Sequence, residues 1–294
     1  MIYLVGSILF SSYLALSFKV VERFNIPVFQ AIVFNYITCV ITGSVANGNF
    51  PVTQSSFTEP WMMWALIMGT MFIITFNLVG YTVQKIGVAV TSVAHKLSLV
   101  IPFAFSIYLY NETATWIKIT GVVVALAAVV LTCIPPEKGE TPAHKHISGL
   151  KMFLLPALLF LGSGFVDTMV KYVEQTYLND LNNNAYLISA FATAGTIGLI
   201  LLIGMLTTGK QKFDKRSIIA GIAIGIPNYF SIWCLVKVLS LYPGNSSAII
   251  PINNMSIVLF SSVVAFIVFK EHLSVINWLG IILAIGAIAL IAFG

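Results

Sequence analysis

His95 and Lys96 stand side by side in a stretch, 88–109, that carries no other charged side chain. If that stretch crosses a bilayer as a helix, Lys96 lies near mid-depth, where an ionised group costs roughly 2.5–3.5 kcal/mol on insertion scales. A lysine there calls for a partner or a wetted cavity. Thr91, Ser92, His95 and Ser98 fall on one helical face with Lys96 on its flank, a polar stripe that a lipid-facing helix would not carry. The chemistry on offer is recognition: an ammonium suits a carboxylate, a phosphate or a zwitterion, and an imidazole adds a group that ordinarily titrates near 6.5.

Other polar residues sit in comparably apolar surroundings. Asn253 and Asn254 follow Ser246 and Ser247 by two turns. Asp167 and Lys171 are four apart in the acid-first order that favours an intrahelical pair, which suits structural pairing as well as binding. Asn77 with Tyr81, and Asn228 with Trp233 around Pro227, supply amide and aromatic groups that can orient an organic solute. Bond-making chemistry is not spelled out. His95, His144, His146 and His272 place no pair on one helix face with a carboxylate. Cys39, Cys133 and Cys234 are odd in number and widely spaced, which suits packing better than a disulfide framework or a thiolate metal site. The expectation is a non-enzymatic chain without cofactor or metal.

The elements that must position these residues are membrane spans. Apolar residues make up 59% of the 294 and charged ones 9%, with a mean hydropathy of +0.97, which excludes an ordinary soluble domain. Strict alternation is absent, so helices rather than barrel strands are expected. Apolar stretches place ten spans at 2–21, 28–46, 60–83, 88–109, 114–133, 152–173, 184–206, 217–238, 245–268 and 274–293. Residues 1–21 read as a span rather than a leader, because no basic region precedes the apolar run and no small-residue cleavage site closes it. Moreover, Lys19-Val20-Val21-Glu22 recurs as Lys171-Tyr172-Val173-Glu174.

That recurrence belongs to a larger repeat. Asn111-Glu112 is followed by Ile117, Gly121, Ala125, Ala128 and Leu131. Lys270-Glu271 is followed at the same spacings by Ile276, Gly280, Ala284, Ala287 and Leu290. The copies are separated by an odd number of spans, so the halves, 1–134 and 151–294, are inverted relative to each other. The polar segment 135–150 links them, opening on Pro135 and Pro136. His144 and His146 in that linker lack further ligands and are read as solvated. On the repeat alignment Asn253-Asn254 occupies the place of His95-Lys96. The small residues allow close helix approach in lipid, and Glu112 and Glu271, at span ends, are read as fold elements that cap or bond the hairpin turns.

Ten spans, two inverted halves of five and the repeated Glu-x8-Gly hairpin resemble the EamA-like members of the drug/metabolite transporter superfamily over nearly the whole chain. The resemblance implies an all-helical fold in which helices 1–4 and 6–9 of the ten surround a central cavity and helices 5 and 10 lie outside it. It also implies cytoplasmic termini. Charge points the other way: the loops after odd-numbered spans hold eleven basic residues (Lys19, Arg23, Lys85, Lys138, Lys145, Lys151, Lys210, Lys212, Lys215, Arg216 and Lys270), and the opposite face has Lys118, Lys171 and Lys237. By the positive-inside rule the first face is cytoplasmic and both termini are outside.

The net charge of +5 is thus a statement about topology rather than a nucleic-acid partner. The expected function is secondary transport of a small polar metabolite, anionic or zwitterionic, by alternating access in a bacterial plasma membrane, with the proton as candidate coupling ion. The substrate site is expected to draw on His95, Lys96, Asn77, Tyr81, Asp167, Lys171, Asn228, Trp233, Asn253 and Asn254. Export of a sugar-class solute or a drug is the alternative within the same fold. An intramembrane enzyme and a non-transporting membrane protein are the alternatives outside it.

Overall fold

The computed structural model describes residues 2–102, 104–105, 115–134, 149–179, 182–241 and 246–293. The Asn111-Glu112 hairpin and linker residues 135–148 lie outside them. Regular structure among the described residues is helical: α1 (Ile2–Arg23), α2 (Val28–Ala46), α3 (Pro60–Lys85), α4 (Val88–Leu97), α5 (Trp116–Cys133), α6 (Gly149–Tyr177), α7 (Asn183–Thr207), α8 (Arg216–Leu241), α9 (Ser246–Val268) and α10 (Val275–Phe293), with a 3-10 turn at Gln54–Thr58. Among the described residues seven helices, α1, α2, α3, α5, α6, α7 and α8, are long and apolar enough to cross a membrane. The other three expected spans correspond to shorter apolar helices, Val88–Pro102, Ile252–Val268 and Val275–Ile291.

The fourth span departs from expectation. Instead of one helix over 88–109, α4 ends at Leu97, the chain turns at Ser98-Leu99, and helical backbone resumes at 100–102. Pro102 explains the interruption, since it has no N–H to give the Ser98 carbonyl and its ring crowds that oxygen. The Ser98 carbonyl accepts instead from Ile101 N at 2.9 Å, a tighter 3-10-type bond. The Ser98 hydroxyl turns back onto the His95 carbonyl.

The chain divides into two compact units, to both of which α1, α3, α6 and α8 contribute. One comprises 1–19, 78–165 and 230–294, and the other 20–77 and 166–229. In the first, the seam is α5 on α10, with α9 and α4 packed beside it. The repeated small residues make this seam. A Cβ at Gly121 would meet Ile291 N at 3.0 Å and the Ile291 side chain at 2.8 Å, while one at Gly280 would meet Thr132 N at 2.9 Å. Ala125, Ala128, Ala284 and Ala287 are fully buried between them. At one end of the seam Asn277 ties the helices. Its Nδ2 donates to the carbonyls of Leu131, Thr132 and Ile134 (3.3, 3.1 and 2.8 Å), satisfying orphan acceptors at the C-terminus of α5. Its Oδ1 accepts from Ser274 N at 2.9 Å, just before α10.

In the second unit α2 packs on α7. Loops are fastened by side chains rather than by backbone ladders. Gln30, fully buried at the start of α2, donates from Nε2 to Lys212 O (2.8 Å) and accepts at Oε1 from Asp214 N (3.0 Å). Arg216 holds Asp214 through Nε and Nη2 and reaches Phe24 O from Nη1 at 3.2 Å. The guanidinium's hydrogen bonds keep the Asp214 carboxyl below its ordinary value. Elsewhere, Asn184 Nδ2 donates to Asn47 Oδ1 at 2.8 Å. The three cysteines are buried and unbridged, in keeping with a packing role.

Candidate functional site

α4 carries His95 and Lys96 in its last turn, both partly buried and both just before the break at Ser98. Ala89, Val93 and Leu97 are locked into the apolar cluster with α5, α9 and α10; His95 lies on the side of α4 away from them and Lys96 at the border between the two sides. Local structure sets where α4 begins. Gly87 adopts φ 117°, a conformation that disfavours side chains, and its absent Cβ leaves room for the Glu271 carboxylate, whose oxygens lie 3.0 Å from where that atom would be. Glu271 accepts from Val88 N at 2.8 Å and 3.1 Å and from Ala89 N at 3.4 Å. Lys19 Nζ is 4.0 Å from the same carboxylate. A negative group at a helix N-terminus satisfies orphan donors and complements the dipole. Glu271 therefore caps a helix, as expected of a fold element, but the helix is α4 rather than one of its own hairpin.

In the same unit α9 packs on α4 and carries Asn253, 3% exposed, and Asn254, partly buried. The hydroxyl of Ser92 and the Oδ1 of Asn253 are buried without a hydrogen-bond partner, which leaves both with bonding capacity to give. Tyr81 is 45% exposed, with Lys85 Nζ 5.9 Å from its ring centroid. Trp233 belongs to an aromatic group, edge-on to Tyr3 (5.7 Å) and Phe230 (6.1 Å), with Lys237 Nζ 5.8 Å from its ring. Neither of these two is shown beside His95 and Lys96.

The second unit holds the remaining expected residues. Asn228 donates from Nδ2 to Asn35 Oδ1 at 3.1 Å, and Cys39 points its thiol at the same oxygen (3.8 Å) and at Gly225 O (3.4 Å). Gly225 and Gly221 allow this, since a Cβ on either would strike α2 at 2.3–2.5 Å. Asn77 spends its amide on Ile73 O (2.7 Å). Asp167 is exposed, and the Lys171 side chain lies outside what the structure describes. Sequence reasoning passed over Asn35 and Gln30, both fully buried. An amide in the middle of the apolar 28–46 span was the available signal for Asn35.

Among the described residues no group of three or more His, Cys, Asp or Glu could hold a metal ion. The fold and these buried polar groups define a class: an all-helical chain whose composition is that of a multi-pass membrane protein. No protein-family model matches it. It is 26% identical to an uncharacterized protein of Haemophilus influenzae strain Rd, over 97% of this chain and 95% of that one. A solved crystal structure, described only as that of a protein, superposes with a TM-score of 0.63 at 16% identity, covering 99% of this chain and 96% of the other. That likeness is one of fold.

Proposed function

We propose that the chain is a secondary transporter of the EamA-like, drug/metabolite transporter type, built from ten helices in two inverted halves, and that it carries a small anionic or zwitterionic metabolite. One observation carries the reading: α4 is interrupted immediately after a partly buried His95-Lys96 pair, on a helix anchored in the apolar cluster with α5, α9 and α10. Interrupted helices with polar groups at mid-depth are a recurrent way to build a substrate site in carriers, because broken backbone is tolerated only where it is covered by protein or lines a cavity. Lys96 supplies charge for a carboxylate or phosphate, His95 tunes it, and Asn254 with the unpartnered Ser92 and Asn253 atoms offers neutral hydrogen bonds.

The loop contacts support the ten-span arrangement. In such a chain, loops of odd number share one face and loops of even number the other. Glu271 joins loop 9–10 to loop 3–4, Asn277 joins loop 9–10 to the end of α5, and Arg216 joins loop 7–8 to loop 1–2. Asn184 joins loop 6–7 to loop 2–3. Each pair has matching parity.

Proteoliposome uptake tests the assignment. Lys96→Ala should raise the half-saturation concentration about tenfold or more, from the roughly 1.5–3 kcal/mol that a hydrogen bond to a charged group contributes. Lys96→Arg should recover binding only in part, since guanidinium and ammonium differ in shape. His95→Gln keeps a hydrogen-bonding side chain without the ring and should raise the half-saturation concentration by less than Lys96→Ala. Wild-type uptake by folded Lys96→Ala would sink the role of Lys96, and wild-type uptake by folded His95→Gln would sink that of His95.

A further inference from the structure

A groove of about 500 Å³ opens in the second unit, and none of the candidate substrate-site residues lines it. Phe50, Met62 and Leu66 form one wall and Ser189, Thr193 and Ile197 the other, so it lies between the loop before α3, α3 itself and α7. Its lining contains no charged side chain, and a water-soluble ion would find no counter-charge there. Its lining includes a buried polar atom without a hydrogen-bond partner. Ser189 is 6% exposed and its hydroxyl has no partner, whereas the Thr193 hydroxyl is spent on Ser189 O at 2.8 Å.

Three features identify the occupant as lipid. The groove runs into exposed apolar surface, with Leu66 on its rim and Ile200, Leu201 and Ile203 continuing along α7, all at least half exposed. In a membrane-spanning helix such a strip faces hydrocarbon. Phe50 and Phe57, 54% and 70% exposed, flank the mouth in the loop between two spans, where bulky side chains meet the bilayer interface. Depth agrees as well. Ser189 lies six residues into α7, about 9 Å along it. The headgroup layer is about 5–7 Å thick on each side of the hydrocarbon core, so with the start of α7 at the membrane surface Ser189 lies in the outer few ångströms of the hydrocarbon, within reach of an ester carbonyl.

We propose that this groove holds one acyl chain of a phospholipid, with the Ser189 hydroxyl donating to its ester carbonyl and the chain lying along Met62, Leu66 and Ile197. Thr53 and Gln54, which also line the groove, stand at the end nearer the headgroup. The proposal requires only that the chain crosses a bilayer, and it is independent of transport.

The test is photo-crosslinking of the full chain in vesicles of phosphatidylethanolamine and phosphatidylglycerol, doped with a phosphatidylcholine bearing a diazirine on one acyl chain. Labelled peptides should concentrate at 50–66 and 189–197 over 200–205, and labelling there should saturate at low probe while the exposed strip rises linearly. Ala192→Trp, which fills the groove, should cut groove labelling several-fold and leave the strip unchanged. Ser189→Ala should lower it less. Equal labelling of groove and strip, or groove labelling in wild type that never saturates, would overturn the proposal whether or not the tryptophan variant folds. Undiminished groove labelling in folded Ala192→Trp would overturn it too.

Discussion

Glu271 illustrates how one side chain can determine where a distant helix starts. Its carboxylate occupies the position an N-cap side chain would take, yet it arrives from 183 residues away. The Gly87 conformation that admits it leaves α4 with no cap of its own. Removing the carboxylate with Glu271→Ala should cost roughly 1.5–3 kcal/mol, the usual range for a hydrogen bond to a charged group, read as a lower thermal midpoint in detergent. Glu271→Gln keeps an acceptor oxygen and should lose less, with substantial uptake retained. A Gln variant of unchanged midpoint that transports nothing would move Glu271 from positioning into the mechanism.

At the level of elements, the α5–α10 seam is a close helix contact of the first unit whose glycine spacing was legible in the sequence. What the repeat did not reveal is that its two copies pack against each other. Gly280→Leu should push α10 away from the Thr132 and Ala128 backbone of α5 and destabilise by about 1–3 kcal/mol, the range for overpacked cores. Gly286→Ala on the same helix is the control. A Cβ there meets nothing within 4 Å, and alanine is the better helix former, so its midpoint should hold or rise. Equal losses in both variants would mean that the seam is not where the packing energy lies.

Across the whole molecule, the parity of loop contacts and the basic bias bear on topology in complementary ways. Contacts pair loops within each unit, and charge bears on which face is cytoplasmic. Reporter fusions should place the 135–150 linker and the 209–216 loop together in the cytoplasm, and a reporter at Gly48 on the other side. If linker and 209–216 loop both report from outside, the ten-span expectation is kept and the charge rule fails for this chain, leaving cytoplasmic termini as the EamA-like resemblance implies. If they report from opposite sides, the ten-span arrangement itself falls.

Span positions were readable from sequence because hydropathy is a local sum: α2 spans the expected residues, and α3 and α7 differ from expectation by only one or two at each end. The small-residue seam and the Pro102 interruption rest on residue types equally visible in the chain, although the continuous 88–109 helix was expected until the backbone turned at Ser98. Partners were another matter. Nothing within either segment says that Asn228 meets Asn35, that Gln30 closes on Lys212 and Asp214, or that Glu271 belongs to α4. In hydrocarbon each apolar helix is stable by itself, so its own residues determine that it forms. Which polar groups face one another is determined by packing between helices far apart in sequence, where close approach at a few glycines aligns donors with acceptors.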